Sequence, residues 1–126
     1  MTATLNTIEK GLAAEQHACD YLIAQGLHLV ERNYRCTLGE IDLILRDQDT
    51  LVFIEVRLRN NTDFGSAIDS VTQQKQKKLI KTARHYLCRH NLYDKLNCRF
   101  DIIGLCYAKP KTSLEWIKDA FSADYF

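Results

Sequence analysis

The chain contains no long apolar run, no close cysteine pair, no repeat or low-complexity segment and almost no net charge, and each absence removes a class of protein. None of its apolar stretches approaches the ~20 residues that a membrane-crossing helix needs. The polar start from Met1 to Lys10 lacks the apolar centre of a secretory signal, so a cytoplasmic location away from membranes is the expectation. The five cysteines, Cys19, Cys36, Cys88, Cys98 and Cys106, are odd in number, widely spaced and never arranged Cys-x-x-Cys. That argues against a zinc cage and a disulfide framework, and most of them read as small core residues. Seventeen Lys and Arg stand against sixteen Asp and Glu. Total charge therefore says nothing about a polyanionic partner, and only its local distribution can. The 126 residues suffice for one domain with a real core and not for two.

What is present is concentrated between Gly39 and Arg59. Ile41, Leu43 and Leu45 alternate with Glu40, Asp42 and Ile44; Leu51, Phe53, Glu55 and Arg57 alternate with Val52, Ile54, Val56 and Leu58. A period of two marks strands, and Asp47-Gln48-Asp49-Thr50 is the turn of a hairpin. With Gln48 and Asp49 at the tip, opposed residues have numbers summing to 97. Asp42 then faces Glu55, Glu40 faces Arg57 and Ile44 faces Phe53, all on one side of the hairpin. Directly opposed like charges are destabilising. Two facing carboxylates are explained by a bound divalent cation, which takes hard oxygen ligands, or else by a solvated face on which a one-residue bulge separates them. The spacing alone leaves both readings open.

The rest of the chain frames that hairpin. Thr7 to Gln25 reads as a helix with an inward stripe of Ala14, Ala18, Tyr21, Leu22 and Ile23, closed by Gly26. Glu15 lies in phase with Ala18, Cys19 and Leu22, so a carboxylate sits on or at the edge of the apolar side. Leu27 to Tyr34 alternates loosely as a first strand. Asn60 to Gly65 is a polar loop beside the acidic face. A second helix follows over about Ser70 to His90, with Leu79, Ile80, Ala83, Tyr86 and Leu87 as its core stripe and Lys75, Lys77, Lys78, Lys81, Arg84 and Arg89 on its other face. Such a cationic face is either merely solvated or a phosphate-backbone contact. Asn97 to Tyr107 reads as a central apolar strand interrupted by Asp101, a carboxylate expected to pair with a neighbouring Arg or to accept from backbone N–H groups. Pro110 closes a short connection, Leu114 to Ile117 is an edge strand, and the aromatic tail from Phe121 to Phe126 docks on the body or joins a dimer contact. The order helix, three strands, helix, two strands predicts an α/β fold with a mixed sheet, a single domain over residues 1–126 with its core at about 8–107 and a tail at 108–126.

The helix acid Glu15, the segment Gly39-Glu40-Ile41-Asp42-Leu43-Ile44 and the segment Val52-Phe53-Ile54-Glu55-Val56-Arg57 resemble the PD-(D/E)xK nuclease superfamily. More closely, the chain resembles the YraN-like family of bacterial endonuclease-like proteins. The match runs over roughly residues 8 to 105, through Gly11, Glu15, Ala18, Gly26, Asn33-Tyr34-Arg35, Phe64-Gly65, Lys75, Ala83, Tyr86-Leu87 and Arg99-Phe100-Asp101. The resemblance implies a restriction-endonuclease-like three-layer core, a mixed sheet flanked by helices. It also implies a Mg²⁺- or Mn²⁺-dependent nuclease acting on DNA rather than RNA, with branched, Holliday-junction-like DNA as the first substrate and a homodimer by analogy. Residue by residue, Glu15 matches the helix acid, Asp42 the metal-binding aspartate and Glu55 the glutamate of the Glu-x-Lys motif. Arg57 stands at the lysine position. Arginine does not release a proton at neutral pH, so it can orient water or stabilise charge but not act as a base. Lys75 or Lys78 is the candidate replacement, and Lys75, Lys77, Lys78, Lys81 and Arg84 are the expected nucleic-acid contacts. The alternative is a nucleic-acid-binding module of the same fold without turnover; a third reading is a protein adaptor acting through the aromatic tail.

Overall fold

A computed structural model describes residues 7–59, 67–107 and 112–123. The hairpin is its centre. Strands β2 (Gly39–Asp47) and β3 (Thr50–Arg59) pair antiparallel from Asp47 opposite Thr50 to Leu43 opposite Ile54, the register in which partners sum to 97. Gln48 takes a left-handed φ of 54° at the tip. On one side β2 pairs antiparallel with the edge strand β1 (His28–Cys36); on the other β3 pairs parallel with β4 (Asn97–Cys106), and β4 pairs antiparallel with the outer strand β5 (Ser113–Phe121). The result is a mixed five-stranded sheet in the order β1-β2-β3-β4-β5. The parallel step from β3 to β4 needs a crossover, and α2 (Gln73–Arg89) supplies it.

The helices take opposite faces of this sheet, giving three layers. Helix α1 (Thr7–Ala24) buries Ala14, Ala18, Cys19 and Leu22 against Leu43, Leu45, Val52, Ile54, Ile103 and Leu105. Helix α2 buries Leu79, Ile80, Ala83, Tyr86 and Leu87 against Ile41, Ile44, Phe53, Phe100 and Ile102. The core stripe read from α2 is therefore borne out. On α1 the reading needs correction at Ile23, which is 46% exposed. The seam runs through positions four apart, 14, 18 and 22, and Ile23 is rotated about 100° off it.

Three further elements differ from expectation. Residues 70 to 72 do not belong to α2: Ala67–Ser70 form a separate 3-10 turn, and Thr72, extended at φ −65° and ψ 162°, caps the helix by accepting from the Lys75 N–H at 3.2 Å. The outer strand is longer than Leu114 to Ile117, because Phe121 still pairs with Phe100 after a register shift. Of the cysteines only Cys19 and Cys106 are buried, whereas Cys88 and Cys98 are exposed. The loop at Asn60 to Gly65, Pro110 and the last residues of the aromatic tail lie outside the described residues.

Gly104 marks where the 3-10 turn meets the sheet. A Cβ there would stand 2.5 Å from the Ala67 Cβ. Gly104→Ala is expected to lower unfolding free energy by about 1 to 3 kcal/mol in denaturant melts, since the turn must shift to admit the methyl group. Adding Ala67→Gly should recover part of the loss; a Gly104→Ala protein as stable as the parent would refute the close packing.

Candidate functional site

The β2–β3 ladder stops at Leu43 and Ile54, one residue short of the two acids. At the same point β2 changes phase: Leu43 and Leu45 face α1, yet Ile41 joins Ile44 on the α2 face. Strict alternation would keep Ile41 with Leu43, and the sequence reading did so. In β1 the residue flanked by the pairs Arg32–Leu43 and Tyr34–Ile41 is Asn33, which has a left-handed φ of 51°. The irregularity thus spans both strands, and Asp42 sits in it.

Freed from the ladder, the Asp42 carboxylate accepts the backbone N–H of Val56 at 2.8 Å. Its charge also acts directly on the Glu55 carboxyl, so the two acids lie together although the ladder ends before they would face each other in register. The solvated-face reading does not fit, because Glu55 is 7% exposed. Two ionised carboxylates in contact and out of water repel, and a shared proton relieves this. Burial first, then the Asp42 charge, push Glu55 up to about 8. Burial likewise raises Asp42. Glu15 projects from α1 toward the same place: burial and then the Asp42 charge raise it, and a hydrogen bond with Asn33 opposes them.

The cations are arranged differently from the sequence reading. Lys75, at the start of α2, brings its Nζ to 3.7 Å from Glu55 Oε2. Arg57 donates from Nε to Ser70 Oγ at 3.1 Å, and Ser70 in turn donates to the Ala67 carbonyl at 2.6 Å, so the 3-10 turn anchors this guanidinium. Of the two lysines weighed as replacements for the motif lysine, Lys75 reaches the acid pair; Lys78 is exposed, as are Lys77, Lys81 and Arg84 on the outer side of α2. Positions 77, 81 and 84 follow one another at three- and four-residue steps, a cationic row along the helix. Glu40 does not oppose Arg57. Its carboxylate pairs with Arg35 of β1 at 2.9 Å, because β2 remains paired with β1 after leaving β3.

Sequence reasoning missed Ser70, which no periodicity marks as a partner of Arg57. It placed Asp101 correctly: fully buried, this carboxylate accepts from Arg99, from Trp116 Nε1 at 3.0 Å and from the Asp119 N–H at 2.8 Å, away from the acid pair.

The donor set is all oxygen and carboxylate-rich, which suits Mg²⁺ or Mn²⁺ rather than a softer ion. Among the described residues no three His, Cys, Asp or Glu side chains converge into a ready-made cage. Mg²⁺ does not require one, since it is commonly held by one or two carboxylates plus water and substrate phosphate. Asp42 and Glu55 fit that requirement.

Fold and site together define a small three-layer α/β domain with a carboxylate pair, Glu55 buried and Asp42 half-buried, where its central hairpin opens. The chain belongs to the family described as Uncharacterised protein family UPF0102, whose profile matches residues 14–105, and the YraN-like resemblance is thereby borne out. A UPF0102 protein of Nitrosococcus oceani is 51% identical over 92% of this chain and 94% of its own length. Others from Coxiella burnetii and Legionella pneumophila are 50% and 48% identical, over 91% and 93% of this chain and 93% and 98% of theirs. Among solved structures, Pyrococcus furiosus SfsA in complex with Ca²⁺ aligns with a TM-score of 0.36 and 13% identity, covering 92% of this chain and 65% of that one. Among the described residues no helix is long and apolar enough to cross a membrane.

Proposed function

We propose that the protein is a divalent-metal-dependent nuclease hydrolysing phosphodiester bonds of DNA at the Asp42–Glu55 pair. The observation that carries this reading is a carboxylate pair, Glu55 buried and Asp42 half-buried, with an ammonium group, Lys75, against Glu55. Asp42 and Glu55 would hold Mg²⁺ or Mn²⁺, with Glu15 in reach through water. The metal ion supplies Lewis-acid polarisation of the phosphoryl group and a lowered pKa for attacking water. The chain does the rest. The Val56 N–H fixes the Asp42 carboxylate, Lys75 places a mobile positive charge beside the reacting phosphate, and Ser70 holds Arg57 where it stabilises developing negative charge without exchanging a proton. The cationic row Lys77, Lys81 and Arg84, with Lys78 beside it, offers contacts for the flanking phosphates.

The test is cleavage of labelled single-stranded, duplex, flapped and four-way DNA, with single-stranded RNA for comparison, in Mg²⁺, Mn²⁺ or EDTA, by the parent and Asp42→Asn. Cutting in either metal, none in EDTA and none by the folded variant is the expected result, with branched DNA cut best. A variant that cuts as well as the parent would place the chemistry elsewhere.

Arg57 at the motif-lysine position, tied to Ser70, favours a second reading: a nucleic-acid-binding module without turnover. It predicts no cleavage in any divalent metal, but binding that weakens steeply with salt. Charge reversal at Lys77, Lys78, Lys81 and Arg84 should then flatten the log K against log salt plot by about 0.9 for each phosphate that is no longer neutralised. Unchanged affinity after those reversals would remove α2 from the interface.

A further inference from the structure

On the α2 face of the sheet, three rows cross β3, β4 and β5 in register. Glu55, Ile102 and Ile117 form the first, Arg57, Gly104 and Glu115 the second, and Arg59, Cys106 and Ser113 the third. A pocket of about 370 Å³ opens over the second and third rows, at the lower end of the size range of small-molecule sites. Its floor is made by Ala67, Gly104 and Cys106, with the strand backbone at Leu105 and Leu114 beneath, and its polar rim comprises Arg59, Ser113 and Glu115. Both parallel strands end here, the position at which open α/β sheets commonly take ligands.

We infer that this pocket is a subsite for an unpaired nucleobase bearing an exocyclic amine, belonging to a nucleotide near the cleaved bond. The inference rests on the phosphodiester reading of the acid pair and deepens it. Arg59 lies four residue steps along β3 from Glu55, a span of about 13 Å, so the pocket adjoins the reacting phosphate without overlapping it. The rim provides a planar guanidinium on which a base stacks and a carboxylate that accepts from base amino groups. Glu115 is exposed, and its Oε1 lies 3.4 Å from the Ala67 N–H, a long contact that leaves the carboxylate acceptor capacity for a base edge. A free phosphate would want several donors and no carboxylate at the rim. An apolar floor with one cation and one anion above it matches a base better. The Gly104 position matters for shape, because the absence of a side chain lets Ala67 close the floor.

Fluorescence anisotropy with short single-stranded oligo(dC), oligo(dT) and an all-abasic oligonucleotide of equal length, in EDTA at one low salt concentration, tests this. Cytosine carries an exocyclic amine where thymine carries a carbonyl, and their stacking areas are similar. The parent should bind oligo(dC) about tenfold more tightly than oligo(dT), and both more tightly than the abasic chain. Glu115→Gln should erase the preference for oligo(dC) with the abasic affinity unchanged. Ser113→Trp, which fills the pocket from its exposed rim, should reduce both oligonucleotides to the abasic level. Equal parent affinity for all three ligands would overturn the subsite while leaving the phosphodiester reading standing. Failure to bind any of them would likewise overturn the subsite, while the phosphodiester reading stands or falls on metal-dependent cleavage of the branched and duplex DNA.

Discussion

In metal-free buffer the melting temperature of this protein is expected to fall as pH rises from about 4.5 to about 8, and Glu55→Gln is expected to remove most of that fall. The sign follows from proton counts. In the unfolded chain Glu55 ionises near 4.5, whereas in the folded protein burial and the neighbouring Asp42 hold its proton to about 8. Between those values the native state binds more protons than the unfolded state, so each step upward in pH favours unfolding. The stabilisation is complete below the unfolded value and gone above the folded one. Its size is on the order of a few kcal/mol, large against the stability of a domain this small. Asp42→Asn should flatten the slope only in part, because it abolishes the second cause, the facing charge, and leaves the first, burial. Millimolar Mg²⁺ should raise the melting temperature most at the alkaline end, where it replaces the missing proton and binds only the native state. Scanning calorimetry across the window decides the matter. A parent profile that is flat, or a Glu55→Gln profile as steep as the parent's, would mean that the folded protein does not hold the Glu55 proton.

Asp101→Ala should cost about 3 to 5 kcal/mol. Asp101 is fully buried on β4 and joins three elements. Arg99 Nε donates to both of its oxygens at 3.0 and 3.2 Å while its Nη2 also bridges to Asp47 at the hairpin tip at 3.0 Å. Trp116 and the Asp119 N–H tie β5 to the same carboxylate, Asp119 with a left-handed φ of 51°. Alanine would leave a guanidinium short of its main counter-charge and would break the acceptor bonds of the half-buried Trp116 Nε1–H and of the Asp119 N–H. Asp101→Asn, which keeps one carbonyl oxygen, should lose less. Urea melts measure the loss, and hydrogen exchange should show β5 opening before the rest of the sheet. A variant within about 1 kcal/mol of the parent would contradict this role for Asp101.

The sequence alone determined what periodicity can carry. Alternation at residues 41 to 58 specified the hairpin, and the two-residue turn at Gln48 and Asp49 set its register, which assigns Leu43, Leu45, Val52 and Ile54 to one core face and Ile44 and Phe53 to the other. The stripe of α2 was legible for the same reason; the register brought Asp42 and Glu55 to the end of the paired ladder, one residue beyond its last pair. Only the tertiary structure decided the rest. It stopped the β2–β3 ladder at Leu43 and Ile54, turned Ile41 onto the other face and so left Glu55 buried and Asp42 half-buried instead of solvated. It also chose Lys75 over Lys78 and bound Arg57 to Ser70. These outcomes depend on where a strand leaves its partner and which helix end lies above the gap. No local pattern encodes either, because both are set by the packing of α1 and α2 on opposite faces of one sheet.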